Sequence, residues 1–250
     1  MASSSKPVRN AVVVTAKGGN TTVQNKNAIP ILGVPVVLYP VRAAKLSVLT
    51  DAVYMSTEDR MLRTLALKED IGIIERPAEL ARSDSLHADV IRHAVQELER
   101  MHPELENVIV LLGNTVQVTP ALIDRGFAAL DEGDCDSVAS VWRAQDDHPY
   151  RALKVNEEGF AESFLEVECG SNRQSYPSVF YYDQGIWAFK KECAIDQKGP
   201  VPWTWLGQRC KLIERPWVTG RDIHTWIDIS ASAWYLNAIQ VNDYMDYKDL

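Results

Sequence analysis

The unbroken apolar run from Val108 to Leu112, opened by Asn107 and closed by Gly113, most constrains what this chain can fold into. Consecutive apolar side chains at strand length leave no polar face, so the segment predicts a strand covered on both sides. Such a strand needs helices above and below its sheet, and helical patterns flank this one. His87 to Met101 carries Val90, Ile91, Ala94, Val95 and Leu98 on one helical face, and Pro120 to Leu130 predicts a second helix.

The same alternation runs along the first part of the chain. Asn10 to Ala16 is a β-branched run of strand length, Val36 to Val48 predicts a helix, and Ala52 to Thr57 a strand. Glu58 to Glu69 predicts a helix with Glu58 and Asp59 near its positive end. Gly72 to Pro77 and Ser137 to Trp142 are further strands. Alternating strands and helices specify an α/β fold, a mainly parallel sheet with helices on both faces. Ligands of such sheets bind beyond the carboxyl ends of the strands, which directs attention to the loops after Thr15, Thr57 and Leu112.

After Gln145 the pattern changes. Ala152 to Phe160 predicts a hairpin, Phe164 to Pro177 a polar excursion, Val179 to Phe189 a strand, and Ile229 to Val241 a final helix. One domain spanning 1–250, with an excursion at about 160–180, accounts for this order.

An apolar fraction of 46% supports a sizeable core, and a formal net charge of −8 argues against nucleic-acid or membrane-surface partners. Cys135, Cys169, Cys193 and Cys210 form no C-x-x-C pair, so no zinc or redox motif is expected. Scattered thiols, a Ser-rich start and no run near the roughly 18 apolar residues of a membrane span predict a cytoplasmic protein.

The most informative local feature follows the first strand: Lys17-Gly18-Gly19-Asn20-Thr21-Thr22, then Asn25-Lys26-Asn27. Glycines let a backbone approach phosphate closely, and exposed amides form an anion-binding concavity. Two lysines nine residues apart can meet across such a loop and neutralise a triphosphate. The segment matches neither a Walker loop nor G-x-G-x-x-G. A Gly-rich surface turn with two solvated lysines is the plain alternative.

Further segments follow in order: Glu75-Arg76-Pro77-Ala78, His148-Pro149-Tyr150-Arg151, Asn172-Arg173-Gln174 with Tyr182-Asp183-Gln184-Gly185, and Trp226-Ile227-Asp228-Ile229. Together with the loop they resemble the acylneuraminate cytidylyltransferase family, which makes CMP-sialic acid and related CMP-sugar acids. The resemblance runs from about Ala11 to Ala238. It implies a Rossmann-like nucleotidyltransferase sheet, CTP as donor, Mg²⁺ as cofactor, an acidic acceptor, and a homodimer formed through the excursion. By the same resemblance, Lys17 and Lys26 hold the triphosphate as catalytic residues. Ala16, Gly18, Gly19, Asn27, Arg76 and Pro77 line the nucleotide side. Asn114, Arg151 and Arg173 serve the acceptor, and Asp228 binds Mg²⁺.

Three departures from the family pattern bear on function. Lys17 stands where the family usually has Arg, which keeps charge but loses the planar fork. Gly113-Asn114-Thr115-Val116-Gln117 replaces the usual Gln-Pro-Thr-Ser-Pro near the acceptor, and Ser230 replaces the second acid of an Asp-x-Asp metal motif. Asp222 is then a candidate to complete the metal shell. With two changes on the acceptor and metal side, a small phosphonate joins the nonulosonic-type sugar acids as an expected acceptor. A sugar nucleotidyltransferase using another NTP and a non-catalytic nucleotide-binding protein are the rival readings. Without the resemblance, Asp228 reads as a carboxylate capping the next helix, and the Trp residues after Trp203 as core or interface.

Overall fold

A computed structural model describes residues 6–19, 23–168, 170, 172–219 and 221–241. Asn20 to Thr22 of the Gly-rich loop, Cys169, the Ser-rich start and the acidic last residues lie outside the described residues.

The elements follow in chain order. β1 (Asn10–Thr15) leads to a small ribbon, β2 (Pro30–Ile31) and β3 (Val34–Pro35), then α1 (Leu38–Leu46) and β4 (Ala52–Thr57). α2 (Arg60–Lys68), β5 (Gly72–Glu75), α3 (His87–Met101), β6 (Asn107–Leu112), α4 (Pro120–Asp131) and β7 (Ser137–Arg143) come next. A hairpin of β8 (Leu153–Val155) and β9 (Ala161–Ser163) precedes β10 (Phe180–Lys190), α5 (Lys191–Asp196), β11 (Cys210–Glu214) and α6 (Trp226–Val241). No helix among the described residues is long and apolar enough to cross a membrane.

Seven strands form the main sheet in the order β11-β7-β10-β6-β1-β4-β5. All neighbours are parallel except β10, which runs antiparallel to both β6 and β7. β1 is a central strand: Thr15 pairs with Ser56 on one side and Leu112 on the other. Its alternate residues enter two different cores. Val12 and Val14 pack with α1, α2 and α4, while Ala11 and Val13 pack with α3. The chain order reverses between β1 and β6, and this switch point opens a crevice at the carboxyl ends of the strands.

Local chemistry sets the helix ends. Asp59 accepts from the Leu62 amide at 2.9 Å and caps α2. Thr119 does the same for α4 through the Leu122 amide, with Pro120 in the first turn, where its missing N–H costs nothing. α6 begins three residues before the sequence-based expectation, at Trp226, which moves Asp228 inside its first turn.

A third, smaller apolar cluster joins Ile31, Val36, Val116 and Ile223, with Ile229, Ala233 and Leu236 of α6 packed against it. This cluster seats the segment before α6 over the β1–β6 crevice. The excursion is the opposite case: every described residue from 151 to 175 is exposed except Asn156. The exposed stretch takes in the hairpin as well. Trp205 is buried, whereas Trp217, Trp226 and Trp234 are exposed, so the late tryptophans do not share one role.

Candidate functional site

The crevice is closed on its floor by two loops that touch. The Gly113 amide donates to the Thr15 carbonyl at 2.9 Å. A Cβ at Gly113 would lie 2.8 Å from that of Ala16, so only glycine lets the loop after β6 come this close to the loop after β1.

On the nucleotide side, the Gly18 amide donates to Glu58 Oε1 at 2.8 Å. The loop amide thus donates to a carboxylate of this same chain, beside the start of α2. Glu58 had been expected at the start of α2; it turns back onto the loop, while Asp59 does the capping. Lys17 lines a small pocket with Gly18, Asn27 and Asp59. Asn27 is buried, its Nδ2 donates to the Lys17 carbonyl at 2.9 Å, and its Oδ1 has no partner among the described residues.

Arg76 is also buried. It donates through Nη2 to the Ser56 carbonyl (2.8 Å), with Nη1 3.7 Å from Glu58. Pro77 follows as the residue before a short 3-10 turn, Ala78–Ala81. Behind Arg76 the His87 imidazole packs edge-on to Trp187 and Trp205, with Nε2 3.3 Å from Thr15 Oγ1. Burial, reinforced by the Arg76 charge, lowers its pKa to about 4.

Lys26 reaches from the first loop to the segment before α6. Its Nζ donates to the Ile223 carbonyl at 2.9 Å, and the charges of Asp222 and Asp228 act on it. Burial lowers its pKa, and those two carboxylates oppose the shift.

Asn114 belongs to the same cluster. Its Nδ2 donates to Asp222 Oδ2 and to the Ile223 carbonyl, both at 3.0 Å, and its carbonyl accepts from the Ile223 amide at 2.9 Å. Asp222 Oδ2 also lies 2.9 Å from His224 Nε2. Lys26, Asn114 and Asp222 are therefore assembled around one peptide carbonyl. Sequence reasoning named Asp222 only as a possible complement to the metal shell.

Asp228 has the capping role. Its Oδ2 accepts from the amides of Thr225 (2.7 Å) and His224 (3.0 Å) and from Thr225 Oγ1 (2.9 Å). Thr225-x-x-Asp228 has the spacing of a capping box, and the cap is the role these residues carry when read without the resemblance. The other oxygen, Oδ1, faces Arg221 Nη2 at 3.5 Å. Ser230 donates to the Trp226 carbonyl along the helix and takes no part in the cluster.

A buried ion pair supports the loop after β6. Arg215 lies 3.0 Å from Asp183 Oδ2 and donates to the Gln117 carbonyl at 2.6 Å. Asp183 also accepts from Ser140 Oγ and the Gly185 amide. A Cβ at Gly185 would fall 2.0 Å from Arg215 Nη1 and 2.6 Å from Ser140 Oγ, so a larger residue here would have to displace the ion pair. Gln117 is buried, and its amide nitrogen is satisfied by the Thr219 carbonyl at 2.7 Å. Neither Asp183 nor Arg215 was singled out from the sequence, although a lone acid within the apolar β10 demands a counter-charge.

Arg151 and Arg173 come together, as a pair of acceptor cations would, but on the excursion. Both contact Asp146 Oδ1, at 3.1 and 2.8 Å, and all three side chains are exposed. Among the described residues no hydrogen bond or ion pair joins them to Lys26, Asn114 or Asp222. His148 shapes this turn: Nδ1 accepts from the Tyr150 amide and Nε2 donates to the Pro177 carbonyl.

Among the described residues no group of three or more His, Cys, Asp or Glu is arranged to hold a metal. A hard cation bound by one or two carboxylates and completed by substrate phosphates still fits this chemistry. Asp222 fits that donor role, because it stands beside Lys26 in the crevice; Asp228 fits it poorly, because one oxygen is consumed by three donors.

Comparisons with known proteins agree with this architecture. A family model described as Cytidylyltransferase matches residues 11–157. An N-acylneuraminate cytidylyltransferase from Streptococcus agalactiae is 23% identical over 193 residues, covering 74% of this chain and 44% of the relative. N-acylneuraminate cytidylyltransferase A from Danio rerio is 25% identical over 75% of this chain and 42% of its own. A pseudaminic acid cytidylyltransferase from Campylobacter jejuni is 22% identical, over 73% of this chain and 78% of its own. The chain thus spans less than half the length of the first two. The solved structure of CMP:2-keto-3-deoxy-manno-octonic acid synthetase complexed with CTP matches 92% of this chain and 99% of its own. Its TM-score is 0.68 at 14% identity, which establishes a shared fold.

Proposed function

The chain belongs to the cytidylyltransferase family, and from that premise we propose that it transfers CMP from CTP to a small acidic acceptor, releasing pyrophosphate. The observation that carries this reading is the cluster of Lys26, Asn114 and Asp222 around the Ile223 carbonyl, at the switch point of the sheet.

An oxygen of the acceptor attacks the α-phosphorus of CTP, forming the new P–O bond as the bond to the β-phosphate oxygen breaks. Pyrophosphate leaves with the electron pair of that bond, and its charge must be met at once. Lys26 lies in the crevice to meet it, half-buried, where a fixed cation acts more strongly than in water. The Gly18 amide donates to a phosphate oxygen in place of Glu58, and Lys17 lies beside it on the same loop. Asn27 offers the nucleoside a buried acceptor, Oδ1, that the described residues leave unsatisfied. Mg²⁺, when bound, neutralises the triphosphate, and Asp222 is the carboxylate suited to hold it.

The acceptor is a nonulosonic-type sugar acid or a small phosphonate, supported by the names of the relatives and by the altered Gly113–Gln117 loop respectively. Exposed apolar side chains on the excursion, among them Leu153, Val155, Phe160 and Phe164, support pairing of two copies.

Pyrophosphate release tests the proposal, with CTP, UTP, ATP or GTP against a panel of sugar acids and phosphonates. The expected result is release with CTP and one acid class. Binding of CTP with no release for any acid, in Mg²⁺ or Mn²⁺, would replace the transferase with a nucleotide-binding protein. Replacing Asp222 with Asn is expected to raise the Mg²⁺ concentration needed for half-maximal release. Asp228→Ala is expected mainly to lower the melting temperature by removing the acceptor of the cap, worth about 1 kcal/mol.

A further inference from the structure

A groove of about 490 Å³ opens on the outer side of Asp222, walled by Trp142, Trp217, Arg221, His224 and Ile227. Asp222 borders both spaces, because its Oδ2 accepts from Asn114, whose amide shares the Ile223 carbonyl with Lys26. A molecule in the groove therefore lies one side chain away from the ammonium assigned to the triphosphate.

The cation in this groove is held in advance. The Arg221 guanidinium sits over the Trp217 ring, 5.4 Å from its centroid, and Nη2 lies 3.5 Å from Asp228 Oδ1. Asp228 makes a rigid bracket, since its other oxygen is fixed by three donors at the start of α6. Arg221 still exposes 49% of its side chain, and a guanidinium has five N–H donors. An arginine oriented by an aromatic face and one long ionic contact loses little entropy when it grips an oxyanion through two parallel hydrogen bonds. Trp142, tilted against Tyr181 at 4.7 Å, and Ile227 give the groove flat apolar walls for the body of a small molecule.

We propose that this groove is the acceptor subsite and that Arg221 binds the acceptor's anionic group. The inference rests on the transferase reading for its reaction, but the binding itself does not depend on turnover. The ligand chemistry is an oxyanion on a compact organic frame. It is supplied by a phosphonate or by the carboxylate of a sugar acid.

The test uses the full chain with Arg221→Met, Arg221→Lys and Arg173→Met. Equilibrium binding of phosphonoacetate, 2-aminoethylphosphonate, N-acetylneuraminate and Kdo is followed by titration calorimetry, alongside CTP binding and pyrophosphate release. Thermal melting checks that each variant is folded. Arg221→Met is expected to weaken binding of the preferred acid on the order of 10- to 100-fold, with CTP affinity within twofold of the parent. Arg221→Lys should recover part of the loss, because charge returns without the fork. The arm of the panel that binds identifies the oxyanion. Unchanged acid binding in Arg221→Met, a loss carried by Arg173→Met alone, or no binding of any acid to the parent chain would overturn the inference. Binding that depends on Arg221 without pyrophosphate release would instead retain the groove and refute the transferase reading.

Discussion

Two sets of arginine–aspartate contacts in this molecule use the same chemistry in opposite surroundings. Asp183 and Arg215 meet at 3.0 Å with side chains 0% and 9% exposed, and they brace the loop after β6 from below. Arg151 and Arg173 meet Asp146 at 3.1 and 2.8 Å, on an excursion where Asp146 is 84% exposed. Distance alone would rank them equal. The difference teaches that the interior pair is held in place by what surrounds it: Ser140 and the Gly185 amide occupy Asp183 Oδ1 and the Gln117 carbonyl occupies Arg215 Nη2, so among the described residues Oδ2 and Nη1 have only each other. The exterior pair competes with water, which screens it and offers each charge a substitute.

That contrast can be broken or sharpened by measurement. The largest effect is expected from Asp183→Ala, which strands Arg215 in the interior and should cost about 3–5 kcal/mol in urea denaturation. A loss below about 1 kcal/mol would mean that water reaches the pair and the two regions are alike. Next comes Lys26→Ala, expected to lower the rate of CMP transfer on the order of 10²–10³-fold while shifting the melting temperature little. This outcome would separate a half-buried cation retained for chemistry from the buried pair retained for structure.

The third effect is a pH dependence centred on His87. The unfolded chain takes up this proton near pH 6.5, whereas the folded chain does so only at about 4. Between these values the unfolded state binds more protons, so the stabilisation is complete above about pH 6.5 and is lost as pH falls toward 4. Up to about 3 kcal/mol is involved. Denaturation midpoints from pH 7 to 4 should fall steeply in the parent and less in His87→Gln; equal slopes would place the acid sensitivity elsewhere. The smallest effect belongs to Asp146→Ala, expected to change stability by less than about 1 kcal/mol and to vanish in high salt.

The sheet was legible from local pattern because both of its signals are short-range. β6 and α3 begin and end where the apolar run and the helical periodicity do, since burial on two faces or one face is written directly in residue spacing. The Gly-rich loop was legible as a turn open to close approach for the same reason, but its contact with Glu58 joins residues forty apart and was not. Asp228 was harder. The sequence offered both a helix cap and a metal ligand for it, and the start of α6 at Trp226 supplies the cap contact.

Sequence by itself determined the alternation of elements, the crevice loops and the family, because these depend on neighbours along the chain. Tertiary structure alone decided that Lys26 turns toward Ile223, almost two hundred residues away, and that Asp183 finds Arg215. It also decided that Arg221 is aimed by Trp217 and Asp228. The partners of Lys26 and Arg221 follow from the packing of Ile223 and α6 into the small third core, whereas Asp183, buried on β10, takes the counter-charge that the fold brings within reach.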